Sequence, residues 1–261
     1  LTVGEELSVP LGLLASGRLD ALWNETFKHR VRSAIRGHSF GGESFEDTVV
    51  RMVDCRALGF ADGAQAINYV TSHDVEGYEN ERLFLFLENN GIGLKLERCK
   101  LAFACLLAAV GVPMILAGEE FADQHDRPVT HPAKQQDPLN FSRVSEPWRK
   151  ELFDYVARLV RFRIASKALG TNDVAFIHRD FTDGRRILAW VRGLPGREDP
   201  VVVVANFSDV TPPGDEYRIP GWPSTPAGRH WREVSQQRTV PDDWIGREPL
   251  FPWEAKVYAL A

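Results

Sequence analysis

Ala66-Ile67-Asn68-Tyr69-Val70-Thr71 runs directly into Ser72-His73-Asp74, a short apolar and β-branched stretch that closes on polar residues. That length and composition suit a buried strand rather than a helix. Three further stretches repeat the layout, Leu1 to Glu5, Leu19 to Trp23 and Pro113 to Ala117, each closing on polar residues. Longer amphipathic runs separate them. Ser44-Phe45-Glu46-Asp47 reads as a capping-box start for a helix whose apolar face is Val49, Val50, Val53 and Leu58. Arg98 to Val110 is apolar almost all round, as expected of a helix packed on a sheet. Ser145-Glu146-Pro147 places a cap and an early proline before the stripe Trp148, Leu152, Val156, Leu159 and Val160. Strand and helix units in alternation predict a parallel sheet covered by helices.

After Gly170 the texture changes to short β-branched or aromatic runs separated by Gly, Pro and Asp: Val174 to His178, Arg186 to Arg192, Val201 to Asn206 and Lys256 to Leu260. Asp183-Gly184 between two of them is a hairpin turn signal. The reading is therefore α/β followed by all-β, with an α/β domain over residues 1–169 and an antiparallel β-sandwich over 170–261. Pro212-Pro213 and Pro220 to Pro226 mark a long irregular loop in the second part.

Composition removes several classes. The chain has 261 residues, 44% hydrophobic and 26% charged, which is ordinary folded material. With 31 basic against 36 acidic residues and no dense basic block, nucleic acid is not expected as a partner. The apolar run around Leu106 to Ala117 is broken by Gly111 and Pro113 and falls short of the roughly 20 residues a membrane span needs, so no membrane role is expected. Cys55, Cys99 and Cys105 have no metal-type spacing and sit in apolar segments, so they read as reduced core residues, which favours a cytoplasmic location. The chain opens on strand-like residues without Met or a signal-peptide layout, and the expectation is a fragment of a longer protein.

Two carboxylates stand at strand ends, Glu5 after Leu1-Thr2-Val3-Gly4 and Asp74 after the stretch quoted first. In a parallel barrel such ends converge on one pocket. These residues resemble the glycoside hydrolase family of α-amylase, of the family 13 type, in which a Gly-Glu pair closes the fifth barrel strand and a His-Asp pair closes the seventh. Asp20-Ala21-Leu22-Trp23-Asn24-Glu25 with Phe27-Lys28-His29-Arg30 resembles the sixth-strand segment of debranching-type members. Gly111-Val112-Pro113-Met114-Ile115-Leu116-Ala117-Gly118-Glu119-Glu120 resembles the eighth strand, and Pro252-Trp253-Glu254-Ala255-Lys256-Val257-Tyr258 the finish of the C-terminal β-domain. The resemblance covers nearly the whole chain, in order.

The resemblance implies the second half of a TIM (β/α)8 barrel, strands five to eight, followed by a β-domain. It implies retaining cleavage of α-glucosidic bonds in starch- or glycogen-like glucans, with Glu5 as general acid and then base, Asp74 as the transition-state carboxylate and His73 as a donor to a sugar hydroxyl. Trp23 reads either as a sugar platform or as packing. Trp23-Asn24 and Asn68-Tyr69-Val70 favour debranching or pullulanase-like members; branching enzymes and trehalose-releasing hydrolases remain alternatives. The family's nucleophile is an aspartate closing the fourth strand, which this chain does not reach. The fragment is therefore expected to be inactive alone, to need the N-terminal half of the barrel as a partner, and to present two open sheet edges that invite self-association. No cofactor or metal is expected; calcium occurs in parts of the family, usually through the half not present here. A reading of another class is a non-catalytic structural or carbohydrate-binding fragment.

Each residue also has a plainer reading. Glu5 alone reads as a solvated strand-end carboxylate and Asp74 as a helix cap; the ordered matches reverse both. Glu119 and Glu120 read as a strand-end turn. Gly37-His38-Ser39-Phe40-Gly41 fits the nucleophile elbow of α/β-hydrolases, but Phe27 to Arg36 before it carries its charges at helical rather than strand spacing. His125, Asp126 and His131, with Asp123, match no zinc signature and read as a loop on the substrate side.

Overall fold

A computed structural model describes residues 1–5, 8–79, 81–194, 199–214 and 217–261. Strands β1 (Val3–Gly4), β2 (Ala21–Asn24), β3 (Ala66–Tyr69) and β4 (Val112–Met114) form a parallel sheet in chain order. Its register pairs Gly4 with Leu22, Leu22 with Ala66 and Ile67 with Val112. Helices α1 (Leu11–Ala15), α2 (Glu25–Ile35), α3 (Phe45–Val53), α4 (Leu83–Asn89) and α5 (Lys95–Ala108) lie between the strands, and α6 (Pro147–Ala165) follows β4. Four parallel strands in this order fit a partial barrel. The strands are shorter than the apolar runs that announce them: the runs of β3 and β4 continue past the ladder at the strand's C-terminal end, whereas that of β2 begins two residues before it.

Local chemistry sets the helix starts. Asn24 ends β2 and caps α2, its Oδ1 accepting from Phe27 N at 3.3 Å. The same side chain donates to Asn68 Oδ1 at 2.9 Å, and Asn68 donates to Val110 O at 3.0 Å, so one buried amide chain crosses the sheet. Ser44 caps α3 by accepting from Asp47 N at 2.9 Å. At α6 the expected serine cap does not form: Ser145 donates to Ser142 O at 2.7 Å, and Pro147 alone marks the first turn.

Strands β5 (Val174–Asp180), β6 (Ile187–Arg192), β7 (Val201–Asn206), β8 (Trp231–Glu233), β9 (Arg238–Thr239) and β10 (Ala255–Leu260) form one antiparallel sheet in the order β5-β6-β7-β10-β8-β9. The expected sandwich is thus replaced by a single sheet, and the burial pattern supplies the reason. Leu188, Trp190, Val203, Ala205 and Val257 face the core shared with α2, α3, α5 and α6. Ile187, Ala189, Val202, Val204 and Tyr258 face a second core closed by Ile219, Trp231, Val240 and Leu250. Helices cover one face and loop residues Ile219, Val240 and Leu250 cover the other, so no second sheet is needed. β8 and β9 escape the sequence reading because they are short and lie beyond the proline-rich loop. Asp183 and Gly184 both take positive φ, 50° and 78°, as the two central residues of the tight turn closed by Arg185 N donating to Thr182 O at 2.8 Å, inside the loop that follows the last ladder pair Asp180 and Ile187.

Arginines fasten the two sheets. Arg192 of β6 donates to Ala108 O at 2.6 Å and Thr171 O at 2.5 Å, and the half-buried Arg163 of α6 donates to Leu107 O and Gly111 O, both at 2.6 Å; the Leu107 and Ala108 carbonyls are the last two of α5. All three cysteines are free and buried, and burial pushes the Cys55 thiol up to about 12.

Candidate active site

Glu5 follows β1 directly. Gly4 before it has no room for a side chain, since a Cβ there would lie 2.5 Å from Leu19 Cδ1 and 2.8 Å from Leu22 Cδ2. β1 therefore sits close on β2, and Glu5 emerges beside the end of β3. From β3 the chain passes through the buried Val70, Thr71 and Ser72 and presents His73 and Asp74. His73 Nε2 lies 3.2 Å from Glu5 Oε1 and 3.4 Å from Asp74 Oδ1. Trp23, at the end of β2, sets its ring edge-on to His73 with centroids 5.6 Å apart and tilts against Tyr69 at 5.4 Å. The four residues singled out in the sequence are thereby gathered at one end of the parallel sheet.

This cluster is open to solvent: the side chains of Glu5, His73 and Asp74 are 43%, 61% and 36% exposed. One oxygen from each carboxylate and one imidazole nitrogen lie within 4.8 Å of one another. Three atoms so spaced could bracket a cation, but an imidazole between two carboxylates equally suits binding of sugar hydroxyls. Among the described residues no further carboxylate, histidine or thiol joins the cluster at that spacing.

Behind the open cluster the supports are buried. Arg32 donates to Val70 O, Thr71 Oγ1 and Glu81 O, each at 3.0 Å, and so straps the end of β3 to the segment before α4. Tyr69 is fully buried; burial pushes its phenol up, helped by the negative charges of Glu25, Asp74 and Glu5. Glu119 is buried and accepts from Leu83 N at 3.0 Å, and burial raises its carboxyl above the usual range. Glu120 accepts from Gly118 N at 2.8 Å within the expected turn, whereas the Glu119 side chain reaches from that turn to the start of α4.

A cavity of about 820 Å³ opens beside His73 and Asp74, between a π-helical turn at Val75–Glu79 and the loop after β4. Its floor is the buried carboxylate of Glu76, which touches Arg82 Nε, lies 2.9 Å from His125 Nδ1 and 3.8 Å from Lys134 Nζ. Burial pulls the His125 imidazole below its ordinary range. His125 and His131 line this cavity, whereas Asp123 and Asp126 pair with Arg143. The loop thus lies on the side of the cluster, and its acids serve structure. Sequence reasoning misses Glu76, Arg82 and Lys134: one is two residues past Asp74 and another arrives from a distant loop, with no spacing that links them. Ser39 lies in a turn after α2, so the helix where an elbow needs a strand removes that alternative. A second cavity, of about 780 Å³, lies between α6 and the β-domain, away from these carboxylates.

No family model matches the chain. Over 167 residues, 61% of its length, the chain is 28% identical to the pullulanase of Bacillus subtilis strain 168, of which it covers 22%. Solved structures with the same fold include the pullulanase from Bacillus acidopullulyticus, with a TM-score of 0.66 and 16% identity over 92% of this chain and 30% of that one. AmyP in complex with maltose gives 0.69 and 15% over 98% and 54%. The pullulanase of Anoxybacillus sp. LM18-11 complexed with maltotetraose gives 0.65 and 18% over 92% and 35%. The fold of the chain is that of these pullulanases and of AmyP. The chain spans about a fifth of the length of the curated pullulanase it resembles.

Proposed function

We propose that this chain is the C-terminal portion, barrel strands five to eight with the β-domain, of an α-amylase-type glycoside hydrolase that cleaves α-glucosidic bonds of starch- or glycogen-like glucans with retention. The observation that carries the proposal is the convergence of Glu5, from the end of β1, with His73 and Asp74, from the end of β3. Glu5 gives its proton to the leaving glycosidic oxygen and then takes one from the incoming water. Asp74 favours the positive charge that develops on the distorted sugar, His73 donates to a hydroxyl, and Trp23 supports the ring beside it. Two strand ends bring two carboxylates, and the attacking aspartate belongs to a strand outside this chain. The domain division falls near residues 169 and 170. The substrate class is supported by the maltose and maltotetraose bound in the structural relatives. Among bond types, the sequence similarity to a pullulanase favours debranching.

The test is reducing-sugar release from soluble starch and from a branched glucan. The chain alone is expected to release none. In a longer protein that supplies the remaining barrel strands, Glu5→Gln and Asp74→Asn are each expected to lower kcat/KM by about 10² to 10⁴. Near-normal turnover by Glu5→Gln would remove the acid/base assignment.

A further inference from the structure

We infer that Tyr78 is a sugar-stacking residue on the rim of the cavity beside His73 and Asp74, and that it holds the glucosyl unit next to the one those two residues bind. The inference rests on the glucan reading above. Tyr78 is 81% exposed, on a π-helical turn that begins one residue after Asp74. π-turns are rare and frequently occur at functional sites. Single exposed aromatics are common, but this one lines a cavity of about 820 Å³ whose wall also includes Val129, His131 and Pro132. That volume lies within the range of small-molecule sites, roughly 300 to 1,000 Å³.

The base beneath the ring is fixed. Glu76, two residues earlier, is buried among Arg82, His125 and Lys134, so the turn that carries Tyr78 is anchored from below. The lining also fits an uncharged ligand. Asp74 and Glu76 balance Arg82 and Lys134, two formal charges against two, so neither sign dominates the lining. A tyrosine there offers a flat apolar face with a hydroxyl at its edge, which matches a sugar ring.

Calorimetric titration of the chain with glucose and with maltotetraose tests this, using Tyr78→Ala, Tyr78→Trp and Asp74→Asn. The Tyr78 ring buries little, so unchanged thermal unfolding is expected for Tyr78→Ala. That variant is expected to bind maltotetraose about tenfold more weakly while glucose binding changes by under about twofold. Tyr78→Trp restores maltotetraose affinity, and Asp74→Asn weakens both sugars. Equal losses of both sugars in Tyr78→Ala, or no loss of maltotetraose affinity, would overturn the inference. If Asp74→Asn still weakens binding in those cases, the glucan reading stands without it. If the wild-type chain binds neither sugar, both fall.

Discussion

His73 is exposed and Asp74 half-buried, yet the carboxylate two residues further on is buried with three basic side chains around it. That contrast between working surface and fixed base is where residue-level predictions divide. Removing Glu76 takes away the buried carboxylate that Arg82 touches, and breaking such a buried pair costs about 3 to 5 kcal/mol. Glu76→Ala is expected to lose about that much in urea unfolding, whereas Asp74→Asn, at a solvated position, changes stability by under about 0.5 kcal/mol. Equal stabilities would show that Glu76 is not the anchor of the turn. At this scale the sequence makes Glu5, His73, Asp74 and Trp23 legible because each sits beside a strand end, and strand ends can be read from local runs. The anchors Glu76, Arg82, His125 and Lys134 meet only through tertiary contacts, so Glu76 and its cationic partners carry no local signature.

The hairpin of β5 and β6 shows how an element holds its turn. Asp180 accepts from Arg185 Nε at 2.7 Å, Thr182 Oγ1 at 2.8 Å and Tyr217 OH at 2.9 Å. Burial works to raise its carboxyl, but these hydrogen bonds outweigh burial and hold it at about 2. The unfolded chain would titrate near the ordinary value of about 3.9. A depressed folded pKa stabilises the protein above pH 4, and that contribution is lost as pH falls from about 4 towards 2. Asp180→Asn is expected to cost about 1 kcal/mol at neutral pH, less than the full linkage because solvent screens a hairpin at the surface. It should also flatten the loss of stability between pH 4 and 2, measured by denaturant midpoints. An acid limb as steep as the wild type's would contradict this. Element identity was largely legible from period and turn residues, Asp183-Gly184 above all. The layering of the β-domain was not, because strands covered by helices on one face and loops on the other have the same sequence texture as strands between two sheets.

For the whole molecule, the parallel sheet ends at β1 and β4, neither of which has a second strand neighbour among the described residues. Val3 and Val112 on these edges are 43% and 41% exposed. Unpaired parallel edges are templates for further strands. The isolated chain is therefore expected to self-associate as concentration rises, and light scattering that reports monomer at every concentration would contradict this. The same edges agree with a barrel completed by other strands, which is how the chain would gain an attacking aspartate. The central claim remains the site at the strand ends, and it can be read on this chain directly by following the His73 imidazole resonances during a titration with maltotriose. The account predicts that they shift on sugar addition and that Glu5→Gln with Asp74→Asn abolishes the shift; imidazole signals that stay still while resonances of the β-domain move would contradict it.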